Sequence, residues 1–388
     1  MKHRLRCWLL AMIAGAGLAA QPSDSLYWQQ NARPLTLEGD SLYLSFSMLD
    51  SAVHGYQFFF TAEEHWKTIN TRIQFAFLQY LHQRAGVRNL IIEGGFSYGF
   101  LINRYLETGD QRLLRKALNN VPVCPDDLME MFVQLRAYNL RFPEAERIQV
   151  TGIDLEHAPE LALQCLYALR PEGQEAPGAI APVIAQIQKL HESRYYDKRA
   201  VRTFFRRLQG SMAARPEQHR RYWQDQYARA RLIADNAVQG FEFGPFKAML
   251  QNDAWEEREK RLFHNFVKLA PYMKPGNYYA QFGALHTDIE RSFRWDFPTL
   301  AHRLNFFETS PVAGRVLTIS RYLDQAEGYR KLGEYDALQR LIGQVSDTYP
   351  GNVVLFPLRG PGSPFEKLSR NFQYMIWIDP ELEQERCD

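Results

Sequence analysis

Short apolar runs alternate with amphipathic segments along most of the chain, and this alternation predicts an α/β fold. The runs that predict strands cover residues 56–60, 88–93, 147–153, 277–283, 315–320, 352–356 and 373–378. Apolar positions three or four residues apart predict helices over residues 67–83, 97–107 and 124–142. Because helices separate the strands, we predict a mostly parallel or mixed central sheet with helices on both faces.

Residues 171–270 break this alternation and form a predominantly helical stretch that is rich in arginine and aromatic residues. Solvated helical faces with aromatic core contacts are the favoured interpretation. A helical lid over a site, with some arginines facing an anionic substrate, is the alternative. Acids such as Glu192 and Asp225 interrupt the stretch, which argues against nucleic acid as a partner. We therefore predict a single α/β domain over residues 21–388 with a large helical insertion at about 171–270.

The first 20 residues have the order of a secretory signal peptide. Lys2, Arg4 and Arg6 precede an apolar run that ends in small residues at Ala20. The run is shorter than the roughly 20 apolar residues that span a bilayer, and an uncleaved anchor is the alternative. We therefore expect an exported protein, periplasmic or secreted, with no transmembrane span after cleavage.

The charge balance and the cysteines exclude several classes of site. The formal net charge is +2 at pH 7, and loss of the three basic residues of the leader would change it to −1, so the charge calls for no nucleic-acid partner. The cysteines Cys7, Cys124, Cys165 and Cys387 lack metal-binding or redox spacing. A disulfide between Cys124 and Cys165 would suit an oxidising compartment, and buried free thiols are the favoured interpretation.

Histidines and carboxylates follow four predicted strands at the points where those strands end. The groups are Glu63, Glu64 and His65; Glu93; Asp154, Glu156 and His157; and His286. Ligands of open α/β sheets bind beyond the carboxyl ends of parallel strands, so these groups would share one edge. Taken singly, Glu63 or Asp154 would serve as a helix cap, and each histidine as a local hydrogen-bonding group. Gly94 and Gly95 would let backbone or substrate approach Glu93 closely.

The same residues resemble the erythromycin esterase-like superfamily, which includes haem-uptake lipoproteins and, more distantly, Tiki-type metalloproteases. That superfamily has a glycine–glutamate–x–histidine or glycine–glutamate–x–x–histidine signature after the first strand, then a strand-ending glutamate and a late glycine–x–x–histidine. The matching residues here are Ala62-Glu63-Glu64-His65, Glu93 and Gly283-Ala284-Leu285-His286. Residues 99–110, which contain Asn103, and Gly152-Ile153-Asp154 also look like the family. Around the main site, we expect Glu64, Asp154, Glu156 and Asn103 to bind substrate or to support the site residues.

Two features depart from the family pattern. Ala62 stands where the family usually has glycine. Phe246-Lys247, before Met249 and Asn252, stands where esterase relatives often carry an arginine–glutamate pair. These departures make the macrolide-inactivating relatives poor guides to the substrate.

The leading hypothesis is hydrolysis of an ester-like bond in a small molecule, with no required cofactor. His65 would be the general base for a water, with Glu63 or Glu93 orienting its imidazole. His286 would polarise the carbonyl or protonate the leaving group. The chain has no GxSxG nucleophile elbow, so a serine acyl-enzyme is not predicted.

Two alternatives use the same residues. In the first, a divalent metal bound by His65, Glu93 and His286 would activate the water of a hydrolase or protease. In the second, the protein would bind haem without catalysis, through His65, His286 or a tyrosine. Binding alone does not call for the paired acids Glu63 and Glu93, which favours the catalytic hypotheses.

Overall fold

An eight-stranded mixed sheet forms the centre of the described part of the chain. The computed structural model describes residues 24–39, 41–119, 124–193, 197–243, 252–290, 296–323 and 333–383. The strands are β1 (Arg33–Pro34), β2 (Phe58–Glu63), β3 (Val87–Gly95), β4 (Gln149–Asp154), β5 (Asn277–Gly283), β6 (Val316–Arg321), β7 (Val353–Pro357) and β8 (Tyr374–Ile378). Their order across the sheet is β1-β7-β8-β6-β2-β5-β3-β4. The strands from β8 to β4 in this order run parallel, and β7 and β1 add antiparallel pairings. The predicted α/β class with a mostly parallel or mixed sheet is therefore confirmed.

Helices cover both faces of this sheet. They are α1 (Asp24–Asn31), α2 (Leu42–Ser45), α3 (Asp50–Val53), α4 (Ile69–Arg84), α5 (Phe96–Thr108), α6 (Gln111–Leu118), α7 (Pro125–Asn139), α8 (Pro159–Leu169), α9 (Ala181–His191), α10 (Lys198–Ala214), α11 (Pro216–Trp223), α12 (Tyr227–Phe243), α13 (Asn252–Leu269), α14 (Leu300–Phe306), α15 (Tyr335–Thr348), α16 (Leu368–Asn371) and α17 (Pro380–Glu383). Described residues include no helix that is both long and apolar enough to cross a membrane.

The strands are apolar on both sides because both faces of the sheet are covered. In β2, Phe59 packs into the core formed with α4 and α7, while Phe58 and Phe60 point into the opposite core with α13 and α14. Successive side chains of a strand point to opposite faces, so an unbroken apolar run such as this indicates a doubly covered strand. With both faces covered, the ends of the strands are the places that remain for a ligand site.

The C-terminal strands complete the same sheet. β6 pairs with β2 through Phe58 and Val316, and β8 pairs with β6 through Ile319 and Tyr374. Residues beyond 300 therefore extend the central sheet, a point that the sequence left open.

The helices between β4 and β5 divide into two groups. Helices α8 to α12 share a core of their own, which includes Phe204, Phe205 and Trp223. Helix α13 instead packs against β4, and its Leu262 and Phe266 belong to the core of the sheet. Gly240 of α12 lies directly against the backbone of Glu156, so α12 reaches the carboxyl edge of the sheet.

The cysteines correct one sequence-based idea. Cys165 is a buried free thiol, and Cys124 is disulfide-bonded, so a Cys124–Cys165 disulfide is wrong. Of the two cysteines in the described part of the chain, Cys165 agrees with the preference for buried free thiols and Cys124 does not. The predicted signal peptide, residues 1–20, lies outside the described residues.

Candidate active site

The carboxyl ends of β2, β5 and β3 lie side by side and bring distant residues together. Glu63 is the last residue of β2, and Glu93 lies near the end of β3. His286 ends a 3₁₀ turn, Ala284–His286, that directly follows β5. Because β5 lies between β2 and β3, Gly283 at its end separates His65 from Glu93.

His65 and Glu63 form a hydrogen-bonded pair on the solvent side of this edge. His65 Nδ1 lies 2.8 Å from Glu63 Oε1, and the two side chains are 36% and 18% exposed. A carboxylate can only accept, so Nδ1 donates to Glu63, and in the neutral imidazole Nε2 then carries the lone pair. The hydrogen bond to Glu63 raises the pKa of the His65 imidazole; burial opposes this rise, and the charge of Glu93 adds to it.

The turn that carries His65 is held from both sides. Asn70 Nδ2 donates to the carbonyl oxygen of Glu64 at 2.7 Å, and Lys67 Nζ donates to the carbonyl oxygen of Glu383 at 3.1 Å. Between them, Trp66 adopts a φ of 71° and leaves its indole 46% exposed beside His65. A bulky residue with this φ is rare and persists only where its surroundings impose it, often at functional sites.

Gly283 keeps a space open between His65 and Glu93. A Cβ atom on Gly283 would stand 3.0 Å from His65 Nε2 and 3.6 Å from Glu93 Oε2. The glycine is therefore required by close approach rather than by its φ, which is −47°. His65 Nε2 and Glu93 Oε2 therefore both lie close to the Cα hydrogens of this glycine.

Glu93 is surrounded by donors. Arg258 Nη2 donates to its Oε1 at 2.7 Å, His286 Nε2 lies 3.3 Å from the same oxygen, and the Gly283 amide donates to Oε2 at 3.1 Å. Burial favours the neutral acid, but the charges of His286 and Arg258 outweigh it and hold the pKa of Glu93 well below its usual range. Glu93 is thus a fixed negative charge beneath the His65 pair.

Arg258 joins Glu93 to a second acid, Asp154. Its guanidinium bonds both carboxylate oxygens of Asp154, which ends β4 and is fully buried. Burial would raise the pKa of Asp154, but Arg258 and His157 lower it below its usual range. His157, which lies 3.6 Å from Asp154, is 41% exposed and forms the other end of the cluster.

His286 lies below Glu93 and is buried among acids and aromatic rings. Its Nδ1 forms an ion pair with Glu259, and the rings of Trp255 and Phe282 pack edge-on against it, each with centroids 5.8 Å away. Burial lowers the pKa of His286, but Glu259 and Glu93 outweigh burial and raise it to about 10. Glu259 also accepts the amide of Leu300 at the start of α14. His286 is therefore an imidazolium at neutral pH.

Three residues that were expected to support the site, Asn103, Glu156 and Glu64, make their described contacts with other parts of the protein. Asn103 uses both amide atoms on the backbone of Val150, at 2.7 and 2.8 Å, and so ties α5 to β4 outside the cluster. Glu156 accepts hydrogen bonds from the amide and hydroxyl of Ser97 at the start of α5. The missing side chain of Gly95 leaves space for the carboxylate of Glu156. From the sequence, we expected this space to serve an approach to Glu93. The described contact of Glu64 is its backbone carbonyl with Asn70.

The sequence interpretation missed two members of the cluster, Arg258 and Glu259. They form an arginine–glutamate pair on α13 that begins six residues after Asn252, beyond the stretch 246–252 in which the sequence analysis places the family's pair. A signal was present, since Arg258 is followed by Leu262 and Phe266 at intervals of four residues. Charges at apolar-face positions of a helix indicate buried, paired groups.

The donor set does not fit a metal ion. No three histidine, cysteine or acidic side chains among the described residues are arranged to hold one. The three predicted ligands differ in availability, because Glu93 is already bonded to Arg258 and both nitrogens of His286 face acids. The guanidinium between Glu93 and Asp154 fills the position that a cation would take.

Comparison with known structures defines the class of fold. The chain matches a succinoglycan biosynthesis protein with a TM-score of 0.64 at 15% identity, covering 94% of this chain and 98% of that one. A Bacillus cereus protein matches with a TM-score of 0.62 at 13% identity, over 92% and 96% of the two chains. No protein-family model and no curated protein sequence matches the chain.

The third structural match is a named enzyme. Erythromycin esterase EreC, as a histidine-to-asparagine variant in its open conformation, matches with a TM-score of 0.62 at 12% identity, over 89% of this chain and 97% of that one. The fold of this chain is therefore that of erythromycin esterase-like proteins, as the resemblance implied.

Proposed function

We propose that this protein hydrolyses an ester-like bond in a small molecule, with His65 as the general base. The observation that carries the proposal is the hydrogen-bonded pair of His65 and Glu63, whose Nε2 lies over Gly283, 3.0 Å from the position that a Cβ atom there would take. An erythromycin esterase among the structural neighbours supports the same reaction class. The proposed step uses no metal, because histidine itself titrates near neutral pH and can serve as the base.

In the proposed reaction, His65 Nε2 removes a proton from water as the water oxygen attacks the carbonyl carbon. Glu63 holds the ring through Nδ1 and stabilises the imidazolium that forms, as the acid of a triad does. When the tetrahedral intermediate collapses, the imidazolium returns the proton to the departing alkoxide. The products are the carboxylic acid and the alcohol.

We further propose that His286 acts through Glu93 rather than on the substrate. Its side chain is buried and both ring nitrogens face acids, so its direct use as an acid would require the network to open. Together with Arg258 it keeps Glu93 ionised. The fixed charge of Glu93 then favours the imidazolium of His65 as it develops.

The test is hydrolysis of a panel of methyl, aryl and lactone esters by the wild type and by His65→Asn. We expect the variant to lose at least about a hundredfold in kcat/KM with an unchanged melting temperature. The matched control is His54→Asn, which alters an exposed histidine after α3 and should keep full activity. Full activity of His65→Asn would refute the general-base role.

We also propose export as the natural location, from the basic and apolar order of residues 1–20. Expression of the full chain in a bacterial host, followed by mass analysis of the N-terminus, tests this. A mature chain that begins near Gln21 is the expected result, and retention of Met1 in the cytoplasmic fraction would contradict it.

A further inference from the structure

Helix α10 carries an unusual excess of positive charge. Its 17 residues include five cations and no acid: Lys198, Arg199, Arg202, Arg206 and Arg207. All five side chains are exposed, and none forms an ion pair with any residue that the structure describes. Exposed arginines elsewhere are commonly paired, as Arg112 is with Asp110 and Arg370 with Glu366.

This charge pattern lowers the stability of helix α10. Lys198 and Arg199 lie in the first turn, where the partial positive charge of a helix dipole repels cations. Arg202 lies three residues after Arg199 and four before Arg206, and like charges at these spacings repel each other along a helix. Asp197, the N-cap, is the one acid that offsets the first turn. A pattern that weakens its own helix is better explained by an external anion than by helix stability.

The opposite face of α10 is apolar and is buried in the protein core. Val201, Phe204, Phe205, Leu208 and Met212 are buried in the core shared by α8 to α12. The helix therefore has no free apolar stripe to insert into a bilayer. What it presents outward is a charged ridge about 12 Å long from Lys198 to Arg206.

Further exposed cations follow on the next helix. Arg215, between α10 and α11, and Arg220 and Arg221 on α11 are also exposed, and Glu217 is paired with Arg220. Eight basic residues thus accompany one acid over residues 198–223. Seven of the eight are arginines, whose planar guanidinium binds phosphate oxygens in pairs.

The composition of the face narrows the class of partner. Protein interfaces use aromatic and apolar residues at their centre, but no large apolar side chain is exposed over residues 197–223. Binding of single-stranded nucleic acid uses exposed aromatic rings for stacking, which this face also lacks. A surface of phospholipid headgroups needs only positive charge spread over an outward face.

We propose that the outward face of α10 and α11 docks this protein on an anionic phospholipid surface by electrostatic contact alone. This inference is independent of the proposed hydrolysis. It predicts binding that depends on anionic lipid, weakens with salt and leaves the helices folded as they are.

The test is co-sedimentation of the full chain with vesicles of phosphatidylcholine mixed with phosphatidylglycerol, beside vesicles of phosphatidylcholine alone. The test variant is Arg199→Gln/Arg202→Gln/Arg206→Gln. The control variant is Arg104→Gln/Arg112→Gln/Arg370→Gln, which removes the same charge from exposed, paired arginines. We expect the partition coefficient on mixed vesicles to fall at least about tenfold for the test variant and less than about threefold for the control.

Thermal unfolding checks that the test variant is folded, and we expect its melting temperature to match or exceed that of the wild type because repulsion is relieved. Equal losses in both variants would assign the binding to net charge and overturn the proposal. Equal binding to neutral vesicles would also overturn it. So would tighter binding of duplex DNA than of mixed vesicles at the same salt.

Discussion

The protonation state of His65 is set by its neighbours and determines how the site would respond to pH. Glu63 bonds Nδ1 directly, and Glu93 adds a second negative charge nearby. Both favour the imidazolium, so the pKa of His65 lies above the ordinary value of 6.5. The raised pKa makes neutral His65 a stronger base, but it also increases the fraction of His65 that is protonated at neutral pH.

A pH profile tests this balance. A general base must be neutral, so we expect kcat/KM to rise with pH through the raised pKa of His65 and then level off. Glu63→Gln replaces the charged acceptor that raises the pKa of His65 with a neutral amide, so its profile should shift to lower pH, with a plateau about 10–100-fold lower. An unchanged midpoint in this variant would show that Glu63 does not raise the pKa that governs the profile.

Gly283 allows a second test at a single position. In Gly283→Ala, the new methyl group would stand between His65 Nε2 and Glu93 Oε2. We expect kcat/KM to fall at least about tenfold because the methyl takes the place of the attacking water. Stability should change by less than about 1 kcal/mol, because the half-exposed His65 ring can move. Gly343→Ala on α15, where a Cβ meets open space, is the control.

At the scale of elements, α13 is what turns three strand ends into one network. It projects Arg258 between β3 and β4, and Glu259 toward His286 and the first amide of α14. The buried Arg258 contacts two acids, so each of the three charges depends on the others. Removing one partner from such a group is far more destabilising than removing an exposed one.

Arg258→Met should therefore lower the free energy of unfolding at pH 7 by about 3–5 kcal/mol. Glu93 and Asp154 would remain buried without their cation, so the loss should shrink at acidic pH, where both carboxyls are protonated. Adding Asp154→Asn should recover part of the stability. The control is Arg261→Met, whose partly exposed pair with Glu257 should cost less than about 1 kcal/mol. Equal losses in urea unfolding would contradict the network.

Local pattern predicted the strands well and the network only in part. The run 277–283 agrees with β5 residue for residue, and the predicted helix 97–107 differs from α5 by one residue at each end. These two predictions succeed because the spacing of apolar residues and the glycines that flank an element are signals in the local sequence. Arg258 and Glu259 were missed because their helix also carries many solvent-exposed charges, and which charges are buried depends on tertiary packing. Asn103 was expected near the site because residues 99–110 resemble the family, and its pairing with the Val150 backbone leaves no signal in the local sequence.

At the scale of the molecule, the sheet gathers buried charges of opposite pKa shift into one region. Glu93 and Asp154 have lowered pKa values, whereas Glu156 and His286 have raised ones, to about 7 and about 10. The lowered acids contribute stability above their unfolded pKa near 4, and that stability is lost as pH falls. His286 contributes stability below about pH 6.5, and that stability is lost as pH rises toward 10.

Glu156 adds a change of stability with pH that ends near neutrality. Burial raises its pKa to about 7, and the two hydrogen bonds from Ser97 reduce the rise without cancelling it. Between about pH 4.3 and pH 7 the folded protein binds a proton that the unfolded chain has lost, so stability falls as pH rises across this range. The maximum of the stability curve should consequently lie on the acidic side of neutrality.

Glu156→Gln tests this directly, because glutamine keeps the size and one acceptor oxygen but has no proton to lose. We expect the variant to be more stable than the wild type at pH 8 by roughly 1–3 kcal/mol, and to differ by less than about 1 kcal/mol at pH 5. Glu160→Gln, on the partly exposed first turn of α8, should shift both values alike. Urea unfolding at the two pH values measures the difference. A Glu156→Gln stability curve parallel to that of the wild type would mean that Glu156 is ionised in the fold, and that the Ser97 hydrogen bonds outweigh its burial.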